Sequence, residues 1–333
     1  LTRALEIFEQ NRLLIQSLLN TDPTNVNFKV NLVVTLARMG DINWTQGNLP
    51  RALGIFEENL LVTQNLVDMD STNVNFKFRH SESLSRVGSL SAIQGNFPRA
   101  LEIFEKNILL TQSLVDIDPT NVNFGKQLGL AFGILGELYG EQGNFPRALE
   151  LLEQYRLIIQ SFMDLDPTDA NNKLLLSEIY LHMGGIYAEQ GNLTRALEMA
   201  EQSHFLSQSL VNLDSTNVEF QYTYALGFIR LGEIYKDRGN LPRALKLFEQ
   251  NRLHMQSIVE INPNDAHYKF SLGTNYAQSG EVYYLQNDLD MAFEITMMGL
   301  NIYKDLISKD QSNFPWQKAF LEINTQLATV LRL

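Results

Sequence analysis

The chain has 333 residues, with 38 acidic against 26 Lys and Arg side chains for a formal charge of −12, and no cysteine. The missing cysteine excludes a disulfide framework, a thiolate zinc site and a cysteine nucleophile, and the acidity opposes broad contact with nucleic-acid phosphates. With 44% apolar and 10% aromatic residues the chain can build a large core, which excludes a disordered chain.

The first block, Thr2-Arg3-Ala4-Leu5, returns along the chain as Pro50-Arg51-Ala52-Leu53, Pro98-Arg99-Ala100-Leu101, Pro146-Arg147-Ala148-Leu149, Thr194-Arg195-Ala196-Leu197 and Pro242-Arg243-Ala244-Leu245. Ahead of each later copy stands Gln46-Gly47-Asn48 or its counterpart, through Arg238-Gly239-Asn240 to Gln286-Asn287-Asp288. The step is 48 residues with no insertion. One array over 1–333 is expected, in units 1–48, 49–96, 97–144, 145–192, 193–240, 241–288 and 289–333. The chain opens inside a block rather than at a methionine, which reads as a fragment of something longer.

Each unit reads as two helices. The array opens on a second-type helix whose partner is missing. In the unit from Phe97, Asn96 is an N-cap and Pro98 sits in the first turn, where its missing N–H costs nothing. Phe97, Ala100, Leu101 and Phe104 share one helical face, and Leu109, Leu110 and Leu114 continue the apolar character to about Val115. Asp116 to Asn121 break the helix, with Pro119 as the stop and Asp118 and Thr120 as sources of capping oxygens. A second helix starts near Asn121, carries Phe124, Leu128, Ala131, Leu135, Leu138 and Tyr139 on its apolar stripe, and ends at Gly143 as a left-handed C′ residue. Each helix is about 20 residues, or ~30 Å, long. The array closes on a first-type helix, Asn313 to Leu333, whose apolar end Leu327–Leu333 expects a further helix against it. Strands are excluded because nothing alternates with period 2. The longest nearly apolar run, Leu128 to Gly136, is too short to span a bilayer. No signal peptide opens the chain. No membrane contact and a cytoplasmic setting are expected.

The run Leu231-Gly232-x-x-Tyr235-x-x-x-Gly239-Asn240-Leu241-x-x-Ala244-x-x-x-Phe248 resembles the tetratricopeptide repeat. The match recurs at Leu135-Gly136…Tyr139…Gly143-Asn144…Ala148 and at Met183-Gly184…Tyr187…Gly191-Asn192…Ala196. The resemblance implies an all-α, right-handed superhelical α-solenoid of antiparallel helix pairs, about 14 helices in all. It departs in period, since the family's usual repeat is about 34 residues. The longer unit adds about two turns, ~10 Å, to each helix. The Asp-Pro-Thr-Asn linker resembles that of long bacterial variants, and kinesin light chain carries a related lengthened repeat. Gly40, Gly88, Gly136, Gly184, Gly232 and Gly280 occupy one helix-interior column, at a cost of roughly 1 kcal/mol each against alanine. That cost makes sense if the partner helix's backbone approaches there, with Ala52, Ala100, Ala148, Ala196 and Ala244 as the small residues facing it.

Little in the sequence carries chemistry. The five histidines, His80, His182, His204, His254 and His267, fall in different columns with no ligand spacing, so no metal is expected. No phosphate loop and no Gly-x-Ser-x-Gly occurs. No cofactor and no enzyme activity are expected. The column Glu9, Glu57, Glu105, Glu153, Glu201 and Glu249 reads as a solvated outer face. The column Gln16, Gln64, Gln112, Gln160, Gln208 and Gln256 reads as amides bonding between neighbouring repeats. Asn11, Asn59, Asn107 and Asn251 form a partial second column.

Columns that pack should repeat, whereas columns that meet a ligand are free to vary. By the resemblance, the helix before each Gly-Asn turn lines the groove. Its variable columns are Arg38, Arg86, Ile134, His182, Arg230 and Gln278; Asp41, Ser89, Glu137, Gly185, Glu233 and Glu281; and Val34, Glu82, Leu130, Glu178, Leu226 and Thr274. Candidate partner-contacting residues are therefore Arg38, Asp41, Glu82, Arg86, Glu137, Glu178, His182, Arg230, Glu233 and Glu281. The alternative for Arg38 with Asp41, and for Arg230 with Glu233, is an i,i+3 surface pair worth at most ~0.5 kcal/mol. The chaperone-binding clamp of the family is not indicated, because its lysine column reads Ala37, Ser85, Gly133, Leu181, Ile229 and Ala277. The expected function is an interaction scaffold or sensor that holds a peptide or protein partner in its groove, within a multidomain protein. The alternative is self-assembly through the unpaired terminal helices.

Overall fold

The computed structural model describes residues 2–331, so the expectations resting on Leu1, Arg332 and Leu333 lie outside it. The described residues form fourteen α-helices and no strand: α1 (Thr2–Thr21), α2 (Val26–Thr45), α3 (Leu49–Met69), α4 (Val74–Ile93), α5 (Phe97–Ile117), α6 (Val122–Glu141), α7 (Phe145–Leu165), α8 (Ala170–Glu189), α9 (Leu193–Leu213), α10 (Val218–Asp237), α11 (Leu241–Ile261), α12 (Ala266–Leu285), α13 (Leu289–Lys309) and α14 (Phe314–Val330). The even-numbered helices precede the Gly-Asn turns and are called A helices. The odd-numbered ones follow the turns and are called B helices.

The turns explain the phase. Gly47 has φ +76°, and its N–H donates to the Trp44 carbonyl while the Asn48 N–H donates to that of Asn43. This is the Schellman pair of bonds, which requires a left-handed C′ residue. Gly95, Gly143, Gly191 and Gly239 repeat it, and Asn287 takes the same conformation in the variant turn. At the other joint Asn121, not Thr120, caps the A helix, its side chain accepting from the Asn123 and Phe124 N–H groups. The Thr120 hydroxyl instead donates to Asp118, which also accepts the Thr120 N–H and so closes the turn.

The contacts divide the chain into two compact units, residues 1–138 with 312–314 and residues 139–311 with 315–333. In the first, α2 packs on α3, α3 on α4 and α4 on α5. Its core gathers Ala52, Phe56, Leu84, Val87 and Leu90. In the second, the same order runs from α7 to α13. Its core gathers Ala196, Ala200, Leu231 and Ile234 in one cluster and Leu300, Tyr303, Leu306, Trp316 and Ile323 in another.

The alanine column, Ala52, Ala100, Ala148, Ala196 and Ala244, is fully buried. The glycine column is buried too, Gly136 included, but its space is filled mainly by rings rather than by backbone. A Cβ at Gly40 or Gly232 would run into the Phe56 or Phe248 ring, and one at Gly88 would lie 2.7 Å from Phe104. At Gly184 the ring is replaced by Ala200, and there the Ala196 carbonyl approaches to 3.3 Å from such a Cβ. At Gly280 the neighbour is the Thr296 hydroxyl.

Most of the glutamines differ from expectation, and Gln16 alone is seen to reach the next repeat. Gln64, Gln112 and Gln160 donate to Asp68, Asp116 and Asp164 four residues on in their own helix. Gln16 reaches Glu58 and Gln256 reaches Tyr276. The asparagine column makes the buried links between helices. Asn59 donates to the Val33 carbonyl at 2.7 Å and accepts from Ser83 at 2.8 Å, which ties α3 to α2 and α4. Asn107 donates to Ser85, and Asn251 donates to the Ala225 carbonyl. The glutamate column is solvated only in part. Glu9, Glu153 and Glu249 pair with Arg12, Arg156 and Arg252 one turn away, and Glu57 pairs with Arg99 of the next repeat at 2.6 Å.

Candidate functional site

Five variable-column residues of α2 and α4 line one cleft. Between α2 and α4 lies a cleft of ≈ 190 Å³ whose lining includes Val34, Arg38, Asp41, Arg79, Glu82 and Arg86. Five of these six belong to the three variable columns. Arg79 was missed by the column comparison. Its place three residues before Glu82 and seven before Arg86 marks it as the same helical face.

Arg86 organises the cleft. Its Nε donates to Asp41 Oδ1 at 3.1 Å, across two helices and 45 residues of chain. Its guanidinium also stands 5.8 Å from the centroid of the Phe56 ring. Asp41 is thereby claimed by the neighbouring repeat, and the expected Arg38–Asp41 pair gives way to an inter-helix one. Arg38 is exposed and Glu82 half-buried, and no ion pair is recorded for Arg38, Arg79 or Glu82 among the described residues.

The remaining candidates lie elsewhere. Glu137 on α6 and Glu178 on α8 are half-buried and His182 is exposed, and all three are engaged with other groups. On α10, Arg230 donates to Glu233 Oε2 at 2.7 Å, which is the expected i,i+3 pair. The same guanidinium lies over Gly185 of α8, 3.1 Å from where a Cβ would stand. Glu281 on α12 accepts from Lys236 of α10 at 2.6 Å, and Gln278 accepts from the same ammonium at 2.9 Å. Lys236 was also missed. Its column holds Trp44, Ala92, Gly140, Ala188 and Tyr284, so nothing periodic flags it.

The histidines are structural in their surroundings. His80 is buried with Nδ1 3.1 Å from the Thr63 hydroxyl, and burial pushes its pKa down. His204 stacks on Tyr224 at 4.8 Å and His254 on Phe228 at 5.7 Å, and burial lowers both pKa values. Among the described residues no three His, Asp or Glu side chains are placed to share a metal ion, and no helix is long and apolar enough to cross a membrane.

A family model described as tetratricopeptide repeat matches residues 130–154. Among solved structures the chain is similar to BtubC (BKLC) from P. vanneervenii, with 16% identity, 77% of this chain and 91% of that one covered, and a TM-score of 0.55. It is also similar to a Rap protein complexed with Competence and Sporulation Factor, with 11% identity, 98% and 86% covered and a TM-score of 0.55. A third, the apo form of RapI, shares 10% identity over 89% and 99% of the two chains with a TM-score of 0.51. No curated protein sequence matches. The fold is thus that of an all-α helical-repeat solenoid. Within that class the tetratricopeptide-repeat match falls on residues 130–154, and the pattern it covers recurs along the chain in a unit lengthened to 48 residues.

Proposed function

We propose that this array is a protein-interaction module and that the α2–α4 cleft is part of its binding surface. The observation that carries this reading is that five variable-column residues of α2 and α4 line that one cleft, while the columns that pack stay largely constant from repeat to repeat. The lining has three arginines against two carboxylates, and Arg86 with Asp41 neutralise each other. Arg38 and Arg79 remain to meet an acidic side chain or a terminal carboxylate of a peptide or protein segment. The Rap structure of similar fold, complexed with Competence and Sporulation Factor, offers an analogy for such binding.

The test is Arg38→Glu. Arg38 is exposed, so the change leaves helicity and melting within the usual surface range of about ±0.5 kcal/mol. Peptides selected against the wild-type chain from a display library should bind the variant at least ~10-fold more weakly. Equal binding to both would remove the cleft from the binding surface. Reversal of Arg86 or Arg230 is a poorer test, because each also holds helices together.

A further inference from the structure

Six B-helix positions one repeat apart carry large apolar side chains that face water. Leu13, Leu61, Leu109, Leu157, Phe205 and Leu253 are each between 54% and 75% exposed. A second column, eight residues further along each B helix, repeats the pattern: Met69, Ile117, Leu165, Leu213 and Ile261 are 43% to 81% exposed. Single exposed leucines are ordinary, but an exposed large apolar residue at the same position in six successive repeats is not. Only the seventh repeat departs, with Asn301. Each of the two units carries three members of the first column.

At α3–α5 the strip deepens into an apolar groove of ≈ 500 Å³, whose walls include Leu60, Leu61, Val67 and Leu110 with Leu84 beneath. The pairs Glu9–Arg12, Glu153–Arg156 and Glu249–Arg252 flank the first column on the same helices.

We infer that this outer strip is an interface between two copies of the chain, packed antiparallel about a two-fold axis. Three features favour a second copy over any other occupant. Within each unit, a row of three apolar residues one 48-residue repeat apart is matched by a row with the same spacing, and a second copy supplies it. A two-fold interface uses one patch twice, so a self-complementary row of knobs and grooves suffices. In the second unit alone, six residues each more than half exposed present several hundred Å², on the order of the ~800 Å² per partner of a stable interface. This inference does not use the cleft residues Arg38, Asp41, Glu82 and Arg86.

The test uses the 333-residue chain. Light scattering across a concentration series should show dimers of the wild type. Joint replacement Leu61→Gln, Leu109→Gln, Leu157→Gln and Phe205→Gln should raise the dissociation constant at least ~100-fold while leaving helicity unchanged. Because the chain has no cysteine, single substitutions report contacts cleanly. Oxidation of Leu109→Cys or Leu157→Cys should give cross-linked dimers, and Arg38→Cys on the A-helix face should not. A wild type that stays monomeric at every concentration overturns the inference. So does a dimer untouched by the four replacements, which would assign association to the terminal helices. A monomer that co-sediments with phosphatidylcholine–phosphatidylglycerol vesicles through these leucines would assign the strip to a lipid surface instead, and would equally overturn it.

Discussion

Two places in the array put an arginine at the same position and use it differently. Arg86 on α4 reaches across to Asp41 on α2, whereas Arg230 on α10 turns to Glu233 in its own helix and lies over Gly185 on α8. Arg86 corresponds to Arg230, Asp41 to Gly185 and Ser89 to Glu233, three repeats apart in every case. The first place offers a carboxylate on the neighbouring helix and a serine, not a carboxylate, three residues after the arginine. The second offers the reverse. The repeat fixes where the guanidinium starts, and the two variable columns decide which way it goes. The α2–α4 seam thus combines an inter-helix pair with an open cleft, while at α8–α10 the arginine rests against the neighbouring helix.

The buried layer beneath shows the same contrast and should give the largest effect. Asn59 links Val33 and Ser83, while its counterpart Ser203 pairs with the Ser177 hydroxyl at 2.9 Å. Asn59→Ala removes a buried amide with two partners, although Ser83 keeps the Arg79 carbonyl as an acceptor. A loss of about 3 kcal/mol is expected in chemical denaturation. Ser203→Ala removes one hydroxyl whose partner keeps the Ser203 carbonyl, for a loss of about 1 kcal/mol. Equal losses would break the comparison.

The glycine column separates the two places next. Gly40→Ala drives a methyl into the Phe56 ring, an overpacking expected to cost about 2 kcal/mol. At Gly184 the ring is absent, and the Cβ meets the Ala196 carbonyl at a tight 3.3 Å. The helical gain of alanine over glycine, roughly 1 kcal/mol, offsets most of that crowding. Gly184→Ala should therefore fall within about 1 kcal/mol of wild type.

Acidification reaches both places through histidine. His80 at α4 and His204 beside α10 both have pKa values lowered by burial, although Asp68 pulls that of His80 partly back up. The unfolded chain then binds protons that the folded chain refuses, so stability is complete above about pH 6.5 and falls as pH drops from there through the folded values. Proton NMR of the imidazoles should show both midpoints below that of an unfolded control. A midpoint above it would reverse the sign.

How far the sequence foretold these features depends on their range. The 48-residue phase, the helix pairs and the left-handed glycines were legible because each rests on local chemistry: an N-cap, a C′ glycine, an apolar stripe. The variable columns were legible as a face, and five of their members do line the α2–α4 cleft. The Arg86–Asp41 pair was not, because an i,i+3 rule sees Arg38 beside Asp41 and cannot see a residue 45 positions away. The glutamine column misled for the opposite reason, since perfect repetition suggested a link between repeats and the aspartate four residues on was a nearer partner. Leu109 shows the limit of apolar pattern reading. It continues the hydrophobic run of α5 yet is 75% exposed, while Leu114 in the same run is fully buried.

The ion pairs themselves should give the smallest effect. Asp41 and Arg86 are each about a third exposed, so a double-mutant cycle with alanine should return a coupling of about 0.5 kcal/mol. Arg230 with Glu233 should return about the same, as an i,i+3 pair does. Both should shrink in high salt. The decisive step is to exchange the two arrangements. Gly185→Asp with Glu233→Ser gives the α8–α10 seam the carboxylate placement of α2–α4. The new Cβ meets only the far end of the Arg230 side chain, which can swing aside. If column composition sets the partner, Arg230 should now couple to position 185 with the strength Arg86 shows toward Asp41, and no longer to position 233. A coupling of zero would mean that the spacing of α8 and α10, rather than the residues on them, decides where the arginine goes.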